Sequence, residues 1–476
     1  MSGPSELPGN ILTRFGTLFD REYILPLSRY AIPIALQNFI MSSLNMVGVM
    51  MIGQLGEIPV AAVGLANQVF FLLQLFLFGI SSGSAMFTAQ YWGKKDLHNI
   101  RRVLAFGLMM ASVVSFFFWI TAQLFPEEIL SIFSKDPAVV AVGSNYLKIF
   151  SWSFLFVGVT FSFGIVLRSI GNVKMPLLVS ALALCLNIIL SYVLIFGKFG
   201  APQLGTIGAA IAALISRMIE CISLVGIIYL RKVPIAIRFG ENLNLNSNFF
   251  KRTFKPILPV ILNESLWSLA ITTYFIVYAR MGTNSIAAMN IVTPIENMAF
   301  VFVSGLANAT AIMVGNRIGS GENERAFRFA GRSLTLAIVL GFLIGSQVFI
   351  WAPYILSVYK VDPAVIENAR RVIIVMSFVI WIRSTNATLV VGVLRSGGDT
   401  RFSLFLDGVI IWLFGVPLAI ITAFVLHLPI YWVYMAIMLE EALKFVIGII
   451  RYLSRKWIHD LTQPELEFTA LVSEQI

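Results

Sequence analysis

The stretch AIPIALQNFI (residues 31–40) lies without a gap on ILPVILNESL (residues 257–266), at an offset of 226 residues. The same register pairs Pro33 with Pro259, Gly56 with Gly282, Ala61-Ala62 with Ala287-Ala288, Gly79 with Gly305 and Gly93 with Gly319. It carries Asp136-Pro137-Ala138-Val139 onto Asp362-Pro363-Ala364-Val365, and one residue later LRSIGNVK (167–174) meets LRSGGDTR (394–401). A register kept across so many connections marks an internal duplication, so the chain is two copies of one unit.

Composition says what the unit is. The 476 residues are 58% hydrophobic and 12% charged, about half the usual 25% charge of a soluble domain. Twelve apolar segments fall near 24–53, 60–90, 101–124, 141–167, 176–197, 206–230, 255–279, 286–315, 331–353, 372–394, 403–426 and 430–453. Each is of the length, about twenty residues, that crosses a bilayer core as a helix. Barrel strands are shorter and alternate, and an open sheet would leave its backbone unpaired in lipid. The expected fold is an all-α polytopic membrane protein: twelve transmembrane helices in two homologous six-helix lobes around a central cavity. The expected parts are a tail (1–23), a first lobe (24–230), a linker (231–254), a second lobe (255–453) and a second tail (454–476). Because six is even, both lobes have one orientation, as in parallel-repeat transporters. Such a pair can open alternately to either side.

Lysine and arginine set the sidedness. One set of connections holds Lys94, Lys95, Arg101, Arg102, Arg168, Lys174, Arg231, Lys232, Lys251, Arg252, Arg395 and Arg401; the other holds Lys135, Lys148, Lys198, Arg280, Lys360, Arg370 and Arg371. The richer set belongs in the cytoplasm, with both termini. The net charge of +10 is spread over these loops, as membrane orientation requires, and no nucleic acid is expected as partner. Met1 to Glu22 has no apolar core of the kind a signal peptide needs.

Several chemistries fall away. Cys185 and Cys221 lie in apolar segments, and His98, His427 and His459 show no ligand spacing, so no metal site or disulfide framework is expected. There is no glycine-lysine phosphate loop for ATP, and no histidine well inside a span to serve a hydrolase. No enzyme and no cofactor is expected.

Ionisable groups in spans are costly and mark function. Glu264, Glu296, Arg383, Asp407, Glu440, Glu441 and Lys444 lie in the second half, whereas the first offers amides, Gln37, Asn38, Asn67, Gln74 and Asn187. Under the repeat, Glu264 stands where Asn38 stands. Pro259 loosens the helix before Glu264, and freed carbonyls beside a carboxyl suggest a cation or proton site; burial favours the neutral carboxyl. Pairing of Glu264 with Arg383 is the structural alternative. Glu220, one turn after Arg217, is expected to pair with it. Helical spacing puts Glu264, Trp267, Ser268, Ile271, Phe275 and Tyr278 on one face, where rings and a carboxylate suit an organic cation. Asn290, Thr293 and Asn297 form a polar stripe with Glu296 at its edge, either cavity lining or an interhelical seam.

The chain resembles the multidrug and toxic compound extrusion family over nearly its whole length. The resemblance rests on IGQLG (52–56), AAVGLANQ (61–68), LRSIGNVKMP (167–176), FGKFGAPQLGTIGAA (196–210), ARMGTNSIAAMNI (279–291), GNRIGSGE (315–322) and LRSGGDTRF (394–402). It implies export of cationic and aromatic compounds in exchange for protons or sodium, across the cytoplasmic (inner) membrane, by a monomer. Gly48, Ser191 and Ser384 stand where branches of the family carry acids, and Glu264 falls about one turn early. The expected ion-coupling residues are Glu264, Glu296 and Asp407. The expected substrate cavity draws on Trp267, Ser268, Phe275, Tyr278, Asn290, Thr293, Asn297 and Arg383, with Gln37, Asn38, Asn67 and Asn187. A flippase for a lipid-linked glycan or other amphiphile is the alternative; few intramembrane cations weigh against an anionic headgroup.

Overall fold

The computed structural model describes residues 20–238, 240–359 and 361–463. Most of both tails, Phe239 and Lys360 lie outside them. The described chain is helical: α1 (Arg21–Gly53), α2 (Glu57–Gly93), α3 (Leu97–Leu124), α4 (Pro137–Phe150 and Trp152–Ser169), α5 (Lys174–Phe196), α6 (Gly205–Leu230), α7 (Ser247–Arg280), α8 (Thr283–Gly319), α9 (Asn323–Ser357), α10 (Pro363–Arg395), α11 (Thr400–Val425) and α12 (Ile430–Leu453). Eleven of the described helices are long and apolar enough to span a membrane. The remaining one, α12, has 24 residues but carries Glu440, Glu441, Lys444 and Arg451.

The duplication is visible in local chemistry. Asp136 and Asp362 both cap their helices, accepting from the Ala138 and Ala364 amides at 2.9 and 2.7 Å. Gly56 and Gly282 precede α2 and α8 at φ +110° and +119°, a region that disfavours any Cβ. The one-residue slip between the copies also has a structural cause. Near its end α10 widens into a π turn, Thr388–Arg395, which absorbs the extra residue without breaking the helix.

Four boundaries differ from the sequence expectation. Segment four is broken at Ser151, where Gln123 of α3 donates to the Lys148 carbonyl and to Ser151 Oγ at 2.6 and 2.8 Å. The helix α7 starts at Ser247, because Asn246 caps it by accepting from the Phe249 amide at 2.9 Å; the linker is shorter for it. Arg168 and Arg395, assigned to loops, are the penultimate residue of α4 and the last of α10.

The two halves meet through exchanged helices. Ile261 of α7 packs on Gly79 of α2, where a Cβ would lie 2.9 Å from the Ile261 Cα. Gly305 of α8 meets α1 equivalently, 2.8 Å from the Ala31 carbonyl. Beyond these contacts α2 and α8 cross, Gly93 against Asn316 and Gly319 against Gln90, backbone on backbone.

A strap reinforces that crossing. Fully buried Gln90 donates to the carbonyls of Ser396 and His459, each at 3.0 Å, and accepts from the Leu461 amide at 2.8 Å. Trp457 is buried against Gly397. Gln90→Ala removes all three bonds, an expected cost of roughly 1–3 kcal/mol. Amide exchange at Leu461 should then accelerate at least tenfold; unchanged exchange would show that the strap is held by Trp457 alone.

Candidate functional site

Two adjoining cavities lie against the first six helices. One, of about 330 Å³, is bounded by α1, α2, α4, α5 and α6 and closed by α8 and α10; Gln37, Asn38, Arg168, Ser304 and Asn308 lie in its wall. The other, of about 370 Å³, shares Met41, Gln74, Arg217 and Glu220 with the first and extends past Gly48, Asn67 and Asn187. A hydrogen-bonded chain runs along the first cavity to Arg217 and Glu220, which line both. Arg168 donates to Gln37 Oε1 at 2.8 Å, Gln37 to Ser180 Oγ at 3.3 Å, and Ser180 to Glu220 Oε1 at 2.7 Å. Arg217 donates to Glu220 Oε2 at 2.8 Å, the pairing expected from the sequence.

The second half holds the counterpart with altered polarity. Arg395 lies under Arg168 in the repeat, Asn263 under Gln37, Glu264 under Asn38 and, one residue on, Asp407 under Ser180. Asn263 donates to Asp407 Oδ2 at 3.2 Å, as Gln37 does to Ser180. Lys444 donates to Asp407 Oδ1 at 3.0 Å from α12, where Glu220 of α6 accepts in the first half. Arg395 forms an ion pair with Glu264 at 2.6 Å. Lys444, 1% exposed, also pairs with Glu440 and, at 4.0 Å, with Glu441. Tyr274 donates to Glu440 at 3.0 Å, and Asn386 to Glu441 at 2.7 Å. Gly415 leaves the room for this: a Cβ there would collide with the Tyr274 hydroxyl and the Glu440 carboxylate.

Several expected contacts are corrected here. Glu264 does not pair with Arg383; that arginine binds Glu296 and stacks 4.9 Å over the Phe300 ring. The sequence missed Arg395 because it ends a helix beside a loop and looked like an orientation charge. The carbonyl freed by Pro259 belongs to Lys255, about 13 Å along the helix from Glu264, too far to share a cation with it. Gln37 and Asn38 line the first cavity, and Asn67 and Asn187 the second. Trp267, Ser268, Phe275, Tyr278, Asn290, Thr293, Asn297 and Arg383 line neither. Tyr278 packs into the apolar core of the second half, and Trp267, Asn290 and Asn297 are exposed. The reason is register: α7 turns Ile257 and Ile261 onto α2, leaving its other faces to α11 and to the core. Among the described residues no three His, Cys, Asp or Glu side chains stand together as a metal site.

A duplicated bundle of membrane-length helices, with a cavity among its first six helices and buried ion pairs in both halves, is the build of a membrane transporter. The MatE family model matches residues 33–193 and 256–421, one match in each half, and the chain belongs to that family, the multidrug and toxic compound extrusion transporters. It is 25% identical over 437 residues to "Probable multidrug resistance protein YoeA" of Bacillus subtilis, covering 90% of this chain and 94% of that one. It is 30% identical over 402 residues to "Probable multidrug resistance protein NorM" of Rhizobium meliloti, covering 78% and 81%. Its fold matches the outward-facing conformation of a multidrug resistance MATE family transporter with a TM-score of 0.82 at 17% identity, over 90% of this chain and 96% of that one. A MOP superfamily transporter from Pyrococcus furiosus gives 0.83 at 17%, over 92% and 96%.

Proposed function

We propose that this chain is a secondary active multidrug exporter working by alternating access, in which cargo occupies the first-half cavity and inflow of protons or sodium is sensed in the second half. The observation that carries this reading is the polarity difference between repeat-related networks. Ser180 and Asn38 are neutral, whereas their counterparts Asp407 and Glu264 are carboxylates bound to Lys444 and Arg395. Glu264, Glu296 and Asp407 are the proposed coupling residues, each held by a basic partner. Protonation of Glu264, or capture of its charge by sodium, would release Arg395 and loosen α7 from α10. Breaking such a buried pair shifts a packing equilibrium by about 3–5 kcal/mol, over half of the roughly 5.5 kcal/mol that takes a two-state carrier from 1:99 to 99:1.

The site belongs to a monomer in the cytoplasmic membrane, with the end that carries Arg21, Arg317, Arg325 and Arg455 in the cytoplasm. Arg168 and Arg217 stand in the cavity wall with one acid, Glu220, so the organic cation read as cargo from the sequence can also carry an acidic group. The reading is tested by efflux of ethidium and of rhodamine B from vesicles under separately imposed proton and sodium gradients. One gradient should drive export, and Glu264→Gln should lower gradient-driven export at least tenfold while leaving dye binding measurable. Export by the Gln variant at the normal rate would remove Glu264 from coupling and leave Glu296 and Asp407.

A further inference from the structure

We infer that Arg168 anchors a carboxylate on the transported molecule, so that the first-half cavity takes amphiphiles carrying an acidic group on an apolar body. The inference rests on the cavity being the cargo site; its binding test stands without any transport step. In the second half the repeat-related Arg395 is neutralised by Glu264 at 2.6 Å. In the first half the matching position is Asn38, which lines the same cavity as Arg168 and spends its amide donor on Ser304 Oγ at 2.8 Å. Arg168 is left with one side-chain acceptor, the neutral Gln37 Oε1, and its buried Nε has no hydrogen-bond partner. The one carboxylate in that wall, Glu220, already accepts from Arg217 and Ser180.

A guanidinium has five N–H donors in a planar fork that fits a carboxylate with two parallel bonds. Held at the edge of an apolar cavity without a counter-charge, it is costly until one arrives. A ligand carboxylate would therefore supply what Glu264 supplies to Arg395. Phe78, Phe161, Ile165, Phe300 and Val303 form the surrounding apolar walls, and about 330 Å³ is the size of a small drug site.

The test compares rhodamine B, which carries a carboxylate, with its ethyl ester, which shares the fluorophore but is a plain cation. Binding to the purified protein is read by fluorescence polarisation. The wild type should bind the acid about tenfold or more tighter than the ester, the scale of a charge-assisted hydrogen bond. Arg168→Gln should erase that preference by weakening the acid alone. Should that variant not fold, Asn38→Glu keeps the arginine and installs the carboxylate that the second half has: binding of the acid should fall and that of the ester should rise. Equal affinity for both dyes in the wild type, no binding of rhodamine B, or an Asn38→Glu protein that still prefers the acid would overturn the inference. Preserved acid preference without gradient-driven export of either dye would instead sink the exporter reading and leave the anchor standing.

Discussion

Lys444→Met is expected to destabilise the protein by about 3–5 kcal/mol at neutral pH, the scale seen when one partner of a buried ion cluster is removed. The ammonium is 1% exposed and lies among Asp407, Glu440 and Glu441. Tyr274, Asn263 and Asn386 each donate a hydrogen bond into the cluster, but none carries a charge. Without the lysine, carboxylates on α11 and α12 would repel across a largely buried interface, with Arg395 already engaged by Glu264 and Arg383 by Glu296. The sign with pH follows. Protons can neutralise the carboxylates but cannot replace the lysine at high pH, so the variant should recover stability as pH falls and lose more as it rises. Thermal unfolding in detergent across pH checks this. A second variant, Lys444→Met with Glu440→Gln, should recover part of the loss because the two residues are coupled. A pH-independent melting temperature in the single variant would mean that its carboxylates do not change charge over that range, and the repulsion argument would fall.

Gly319→Val should prevent stable folding. A Cβ on Gly319 would overlap the carbonyl oxygen of Gln90, and one on Gly93 would overlap that of Asn316. Backbone on both sides cannot rotate away, so the helices must separate, and the strap that Gln90 holds through Ser396, His459 and Leu461 would go with them. Ordinary core overpacking costs about 1–3 kcal/mol; a backbone collision at the crossing of two halves should exceed it. The expected result is loss of the monodisperse peak in size-exclusion chromatography. Gly164→Ala and Gly226→Ala are the matched controls, since a Cβ at either meets nothing within 4 Å, and both should elute normally. Normal elution of the Gly319 variant would mean that α2 and α8 separate readily where they cross.

Much of the architecture was legible in the chain because bilayer length and duplication are one-dimensional signals. Span length, the 31–40 on 257–266 match and the Gly93–Gly319 and Asp136–Asp362 pairs all survive as helices, close crossings and caps. Charge along the sequence also pointed to the second half as the acidic one. Partner choice was not legible. Glu264 meets Arg395 rather than Arg383, and Arg168 turns into a cavity rather than toward solvent. A charge at a helix end reads identically whether it faces water or the bundle, and rotation of the helix about its axis decides between them. That rotation is set by packing against helices far away in sequence, Ile261 on Gly79 and Ala31 on Gly305. Sequence by itself thus determined which helices exist and which are copies of each other. Only tertiary packing decided which face of each copy meets the cavity, and which acid pairs with which arginine.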